Sequence, residues 1–299
     1  MRADPSYVNS LTQSLNNAAI TANNLSSQLS SGLRVASLSD DPSAAAQSVQ
    51  MGSQIAKTDT FIQTASNETS MLQVTDSTLG EVVTQLTSAI TLAVQAANGT
   101  LNAANLQASL QQATGIRDQI LALSNASYQG RYLFAGSQGT TAPFSLNTTT
   151  SPATANYAGD TNVQFIETPG GQMIQMNLPG SSIFGSGTSG VLGALNQFID
   201  DLSSGASSTS LAADSTALNN ALTNVSTQRS ILNSSLSTLK STSAYAQTQE
   251  AQMKARQGSL VAADPAEVAT QLKSNQTQYQ ALLGVISTLN KVNLFDYLK

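Results

Sequence analysis

The chain has 299 residues without a single Cys, His or Trp, and only 10% of its residues are charged. These absences exclude disulfide frameworks, Cys nucleophiles, His-based zinc sites and Ser-His-Asp triads. The net charge is −5 and the twelve Lys and Arg residues are scattered without a basic stripe, which argues against nucleic-acid binding.

The first predicted element is a helix near the N-terminus, where Asp4-Pro5 supplies an N-cap and a proline for the first turn. Apolar residues then recur at alternating spacings of three and four, the a/d pattern of a coiled coil. This N-terminal seam consists of Val8, Leu11, Leu15, Ala18, Ala22, Leu25 and Leu29. The start has no apolar core of a secretory signal, and no apolar run is long enough for a membrane span. We therefore expect no membrane insertion.

Two long helices are predicted next. Asp41-Pro42 caps a segment that runs towards Gly99, and a second helix extends from about residue 103 to 127. On the first of these, apolar residues again alternate by four and three, at Leu79, Val83, Leu86, Ile90 and Ala93. Helices of this length without glycine clusters indicate rods rather than globular domains.

The middle of the chain has a different composition, because residues 130–190 are richer in Gly, Pro, Thr and Asn. Residues 131–134, 163–166 and 172–176 are typical of short strands, and Thr168-Pro169-Gly170-Gly171 is a plausible hairpin connection between the last two. The pattern predicts a β-rich insertion with a helical rod on each side. Residues 202–210, rich in Ser and Gly, are expected to form a flexible link.

Two helices are predicted after this link. The first exceeds ten turns and is marked by Leu218, Leu222, Val225, Leu232, Leu236, Leu239 and Met253. The last begins at Asp264-Pro265, and its C-terminal seam consists of Val268, Leu272, Asn275, Tyr279, Leu282, Ile286 and Leu289. The polar Asn275 is expected to specify the register of the pairing. Two seams at opposite ends of the chain predict that the termini pair, either within one chain or between subunits.

Candidate catalytic groups are few. Asp40-Asp41 and Asp200-Asp201 have the form of paired carboxylates, but we interpret the first pair as a helix cap and the second as a solvated helix end. We therefore predict no catalytic, cofactor-binding or metal-binding residue and no cofactor. A hydrolase built into residues 137–200 stays an alternative, and it would require a well-formed polar pocket there.

Several motifs resemble the flagellin family. Residues 29–35, Leu-Ser-Ser-Gly-Leu-Arg-Val, followed by Asp40-Asp41-Pro42, are similar to the turn between the family's terminal helix and its rod. Residues 92–100 are similar to the end of its first rod helix. The Asp-Asp-Pro turn, residues 128–136 and the ending Leu-Phe-Asp-Tyr-Leu at 294–298 resemble the junction subunits of this family more than its filament subunits.

Pattern and resemblance together predict a mainly α fold, a long antiparallel helical rod and coiled coil formed by the N- and C-terminal segments, with a β-rich insertion in the middle. Residues 1–40 and 265–299 are expected to form the terminal coiled coil that packs into the inner tube. Residues 41–135 and 205–264 are expected to form the rod, and residues 136–204 the outer insertion.

The resemblance also implies a function. A junction subunit is a non-enzymatic adaptor layer that joins the flagellar hook to the filament, while the alternative is a flagellin that polymerises into the filament itself. The implied partners are copies of itself in a ring layer, a neighbouring hook-associated protein, flagellin and an export chaperone. The implied location is the extracellular flagellum, reached by type III export without a cleaved signal peptide.

Overall fold

The computed structural model describes residues 5–98 and 102–295. Helices dominate it, as the sequence predicted, and the strands are short. In chain order the elements are α1 (Pro5–Ser31), α2 (Pro42–Ala97), α3 (Ala103–Ser124), β1 (Ser127–Tyr128), β2 (Arg131–Tyr132), β3 (Phe144–Asn147), β4 (Thr154–Tyr157), β5 (Phe165–Glu167), β6 (Met173–Gln175), α4 (Gly180–Phe184), α5 (Gly190–Ser204), α6 (Ser208–Val261) and α7 (Pro265–Phe295).

The chain divides into two compact units. One comprises Met1–Ala56 and Gln249–Lys299, and the other comprises Lys57–Thr248. The first unit contains α1 and α7, while α2 and α6 contribute residues to both units. The finer division into terminal, rod and insertion segments stays a prediction.

In the second unit, α2 and α6 bury apolar residues at alternating spacings of three and four. Along α2 the buried positions include Phe61, Ala65, Leu72, Leu79, Val82, Leu86, Ala89, Ala93 and Ala96. The predicted Val83 and Ile90 are only partly buried and pack beside this stripe, while Val82 and Ala89 occupy the buried positions. Both choices give a regular three-and-four alternation, so spacing alone could not distinguish them.

A polar contact joins α2 to α6 inside the second unit. Arg229 donates from Nε and Nη2 to the two oxygens of Asp76, at 2.7 and 3.2 Å, and Asn233 donates to the same carboxylate at 3.0 Å. The Arg229 guanidinium lies against Gly80, where a Cβ atom would be 3.3 Å from Nη2. The hydrogen bond from Arg229 lowers the pKa of Asp76, since it stabilises the ionised form.

The strands pair as two-stranded antiparallel sheets: the β1–β2 pair lies before the insertion, and the β3–β4 and β5–β6 pairs lie within it. The predicted hairpin is present, because Ile166 pairs with Ile174 across β5 and β6. Phe184 packs edge-on against Phe134 and Phe144, with ring centroids 5.0 and 5.4 Å apart. The β3–β4 hairpin was not predicted.

Two details of the insertion differ from the sequence prediction. Residues 136–204 also hold helices α4 and α5, so the insertion is not purely β-rich. The flexible link predicted at 202–210 is reduced to residues 205–207. Gly205 ends α5 in the left-handed conformation, with φ of 67°, and the Ser207 hydroxyl accepts from the Ser210 N–H at the start of α6.

Candidate assembly site at the terminal helices

Helices α1 and α7 pack against each other within the first unit. The last residue of α1 and the first of α7 lie beside a bridge between Leu33 and Ala262, so the two helices run antiparallel. The start of α7 is capped as predicted, because Asp264 Oδ1 accepts from the Ala266 N–H at 2.9 Å. The corresponding predicted cap, Asp4, lies outside the described residues.

The predicted seam residues of these two helices are unevenly buried. Leu11, Ala18, Leu25 and Val268 are buried. The half-buried members are Leu15, Ala22, Leu272, Asn275, Tyr279, Leu282 and Ile286. Val8 and Leu29 keep 40% and 44% of their surface exposed. The side chain of Leu289 lies outside the described residues.

The terminal helix pair buries its seam residues less completely than the rod helix α2 buries its apolar stripe. Leu72, Leu79 and Leu86 of α2 have no exposed surface. Two helices alone bury one stripe of each and leave the flanks open, whereas a position covered from several sides is removed from water completely. The terminal pair therefore retains apolar surface that a further helix could cover.

Additional apolar side chains on the same two helices lie outside the predicted seams. Ile20 is 58% exposed on α1, and Leu283 and Val285 are 43% and 40% exposed on α7. The sequence did contain a signal for Leu283 and Val285, since each directly follows or precedes a seam residue and widens the apolar stripe beyond strict a/d positions.

One polar atom within the seam is unsatisfied. The Oδ1 atom of Asn275 is buried and has no hydrogen-bond partner in the described chain. A buried acceptor without a donor costs about 1–3 kcal/mol. Asn275 therefore makes the pairing of α1 with α7 less favourable than an apolar residue at this position would.

Residues 32–41 and 260–263 form a joint at the end of the helix pair where α1 ends and α7 begins. The Arg34 N–H donates to the Val261 carbonyl at 2.8 Å, and the Ala263 N–H donates to the Gly32 carbonyl at 2.9 Å. Gly32 takes a left-handed φ of 70°, which a residue with a side chain rarely adopts. The turn after α1 is thus held by backbone bonds to the turn before α7.

Charged side chains complete the joint. Arg34 donates to Asp41 Oδ2 at 3.3 Å and to the Leu260 carbonyl at 3.0 Å. Asp41 Oδ1 caps α2 by accepting from the Ala44 N–H, and Asp40 accepts from the Ser37 and Ala36 N–H groups. These backbone hydrogen bonds lower the pKa of both carboxyls. Asp40-Asp41 is a structural turn and helix cap, as its sequence context indicated.

The second carboxylate pair differs from its prediction. Asp200 and Asp201 are both half-buried, and the Asp201 carboxyl contacts that of Asp214, which is only 4% exposed. The interpretation of a solvated helix end was wrong for Asp201, because the chain folds α6 back over the end of α5. Asp214 was missed because one acidic residue in a long helix gives no signal by itself.

The insertion borders a cavity of about 650 Å³ between α4, α5 and α6. Its lining carries hydroxyl and amide side chains, such as those of Ser182, Thr188 and Asn224, and no ionisable side chain. This cavity therefore lacks the acid, base or charged anchor that a hydrolase needs. Within residues 5–98 and 102–295, no three acidic side chains come close enough to hold a metal ion. No described helix is long and apolar enough to cross a membrane.

Both ends of the chain match models of one protein family. Residues 6–139 match the bacterial flagellin N-terminal helical region, and residues 215–298 match the bacterial flagellin C-terminal helical region. Flagellar hook-associated protein 3 of Salmonella typhimurium is 28% identical over 298 residues, covering 91% of each chain. The protein of the same name from Escherichia coli is 37% identical over 119 residues, which are 40% of this chain and 38% of the relative.

Solved structures share the fold. A putative flagellar hook-associated protein from Vibrio parahaemolyticus superposes with a TM-score of 0.65 at 20% identity, covering 75% of this chain and all of that one. Xanthomonas campestris FlgL superposes with a TM-score of 0.61 at 17% identity, covering 68% of this chain and 98% of that one. The two matched regions span nearly three quarters of the sequence and include both terminal helices. This chain therefore belongs to the bacterial flagellin family.

Proposed function

We propose that this protein is a structural subunit of the bacterial flagellum that joins the hook to the filament. The full-length similarity to flagellar hook-associated protein 3 supports this proposal over the filament-flagellin alternative. The motifs at residues 40–42 and 128–136, which resemble junction subunits, point the same way. Such a subunit has a mechanical role, so its functional surface is the one that contacts neighbouring subunits.

The observation that carries the proposal is the half-covered seam of the terminal helices. Apolar residues on both helices remain accessible to water in the single chain. The apolar stripe of α2, at Leu72, Leu79 and Leu86, is fully buried. Exposed apolar surface of this kind gains free energy when another helix covers it, at about 25 cal/mol per Å². We therefore assign the seam residues an assembly role, with the flanking Ile20 and Leu283 added to them.

Several partners follow from this proposal. Copies of the chain would cover one another's terminal helices in a ring layer, while a hook-associated protein and flagellin would contact the two faces of that layer. An export chaperone would cover the same apolar surface before assembly. The corresponding location is the extracellular flagellum, reached by type III export without a cleaved signal peptide.

The test uses a strain from which this gene has been deleted. We expect hooks without filaments and flagellin released into the medium, with filaments restored when the full chain is returned. Electron microscopy of the cells and quantification of flagellin in the medium give the result. Intact filaments on the deletion strain would contradict the junction role.

A second measurement distinguishes a junction subunit from a filament flagellin. Purified protein is added to isolated hooks, and the length of the added layer is measured. A junction subunit adds a short layer that stops, whereas a filament subunit grows into long filaments. Unlimited growth of the purified protein alone would favour the filament alternative.

A further inference from the structure

The contact between Asp201 and Asp214 lies where the insertion returns to the long helix α6. Asp214 stands on the buried stripe of α6 between Leu211 and Leu218, at spacings of three and four, where an apolar residue is normal. Its Oδ2 atom is buried without a hydrogen-bond partner. Asp201 belongs to the last turn of α5, and its main-chain carbonyl accepts from the N–H of Ala206 in the link.

The one basic residue of α3, which packs against α5, is Arg117, and its charge is offset by Asp118 at 2.7 Å. A cavity of about 170 Å³ lies beside it, and Asp201 is the only ionisable residue in the cavity lining, which is otherwise formed by Ala96, Leu106, Leu202, Gly205, Ala206, Ser208 and Leu211. Residues 82–116, which include the end of α2 and the start of α3, contain no charged residue. On α5 the neighbouring charge is Asp200, whose carboxylate accepts from the Ser151 hydroxyl, and on α6 the next charged residue is Arg229.

We infer that Asp201 and Asp214 form a proton-dependent contact that holds the end of α5 to the start of α6. With one proton shared between them, the two carboxyls hydrogen-bond and the pair carries a single charge. With both ionised, two like charges face each other in a poorly hydrated space and repel, which loosens the connection at residues 205–207. The attachment of the insertion to α6 is therefore tighter in acidic than in alkaline medium.

The expected pH range follows from the direction in which the pKa of Asp214 is shifted. Burial, followed by the charge of Asp201, raises the pKa of Asp214 from 3.8 to about 7. Because the folded pKa lies above the unfolded value, the stabilisation is complete below about pH 4 and is lost as the pH rises to about 7. From pH 5 to pH 8 this one group raises the unfolding constant roughly 100-fold.

The experiment measures urea unfolding of the full chain between pH 5 and pH 8, with a chelator present. Wild-type protein is compared with Asp214→Asn, whose neutral amide has the shape of the protonated acid, and with Asp59→Asn as a control at a half-buried carboxyl of α2 that accepts a hydrogen bond from Gln63. We expect the wild type and the control to share the pH dependence, and Asp214→Asn to lose most of it. An unchanged pH dependence in Asp214→Asn would overturn the inference.

Two further measurements test the inference even if Asp214→Asn folds poorly. Titration of the Asp214 carboxyl carbon by NMR in the wild type should give a midpoint near 7, and an ordinary midpoint near 4 would overturn the inference. Limited proteolysis of the link at pH 8 should be faster in the wild type than in Asp214→Asn, with equal rates at pH 5. Equal rates at both pH values would also count against it.

Discussion

Replacing Ile20 and Leu283 by Ser tests whether assembly covers the flanks of the terminal helix pair. Together these side chains expose 58% and 43% of their surface, which is about one full apolar side chain. Burying one such side chain contributes about 1.5–3 kcal/mol. The double variant is therefore expected to bind its neighbours roughly 10- to 100-fold more weakly per subunit, at about 1.4 kcal/mol for each factor of ten.

The assay compares the free chain with the assembled state. Thermal unfolding of the isolated variant should resemble that of the wild type, because both positions are already largely in contact with water. The protein concentration needed to half-saturate isolated hooks should rise by the stated factor. A matched control replaces Val163, just before the β5–β6 hairpin, and Met173, within it, by Ser; these residues are 39% and 57% exposed.

Two results would refute this reasoning. Wild-type binding by the Ile20→Ser/Leu283→Ser variant would mean that assembly leaves these side chains exposed. A large loss of stability in the free variant would mean that the two positions act within the single chain. An equal loss of binding in the hairpin control would show that exposed apolar surface in general, and not the terminal pair, promotes association.

Three other changes probe the folded chain. Leu72→Ala should lower the free energy of unfolding by about 2–5 kcal/mol, as measured in urea, because this fully buried residue leaves a cavity. Asp41→Ala removes the cap of α2 and should destabilise the start of this helix, with amide exchange rising first near Ala44. Asp76 has a lowered pKa, so its contribution is present above about pH 4 and is lost in acid. Asp76→Asn should reduce this acid sensitivity in a urea titration, while a variant as acid-sensitive as the wild type would contradict the role of the Arg229 contact.

The helices could be predicted from the sequence because their signals are local. Pro42 and Pro265 mark helix starts, and alternating spacings of three and four mark the stripe that must face another helix. The spacing could not decide between Val82 and Val83 as the buried position of α2, because both fit the same alternation. That choice depends on which neighbouring helices cover α2.

The insertion was predicted less completely because its strands are short and its turns are varied. The β5–β6 hairpin has a recognisable Pro-Gly-Gly connection, while β3 and β4 are joined by a longer Thr- and Ser-rich segment. Only the end of helix α5, near Asp200-Asp201, was expected to be helical, and its start was assigned to the β-rich insertion, although its buried residues include Leu192, Leu195 and Phe198 at helical spacing. Nearby glycines obscured that pattern.

The sequence by itself determined the mainly helical class, the two terminal seams and the absence of Cys and His chemistry, since each depends on residue types and on spacings within one helix. Only the tertiary structure decided how much of each seam is covered, because burial depends on how many helices surround a position. It also decided that Asp201 meets Asp214, thirteen residues further along the chain. Such a meeting requires α6 to fold back over the end of α5, and the energy of two carboxyls depends on the distance and hydration that this packing imposes.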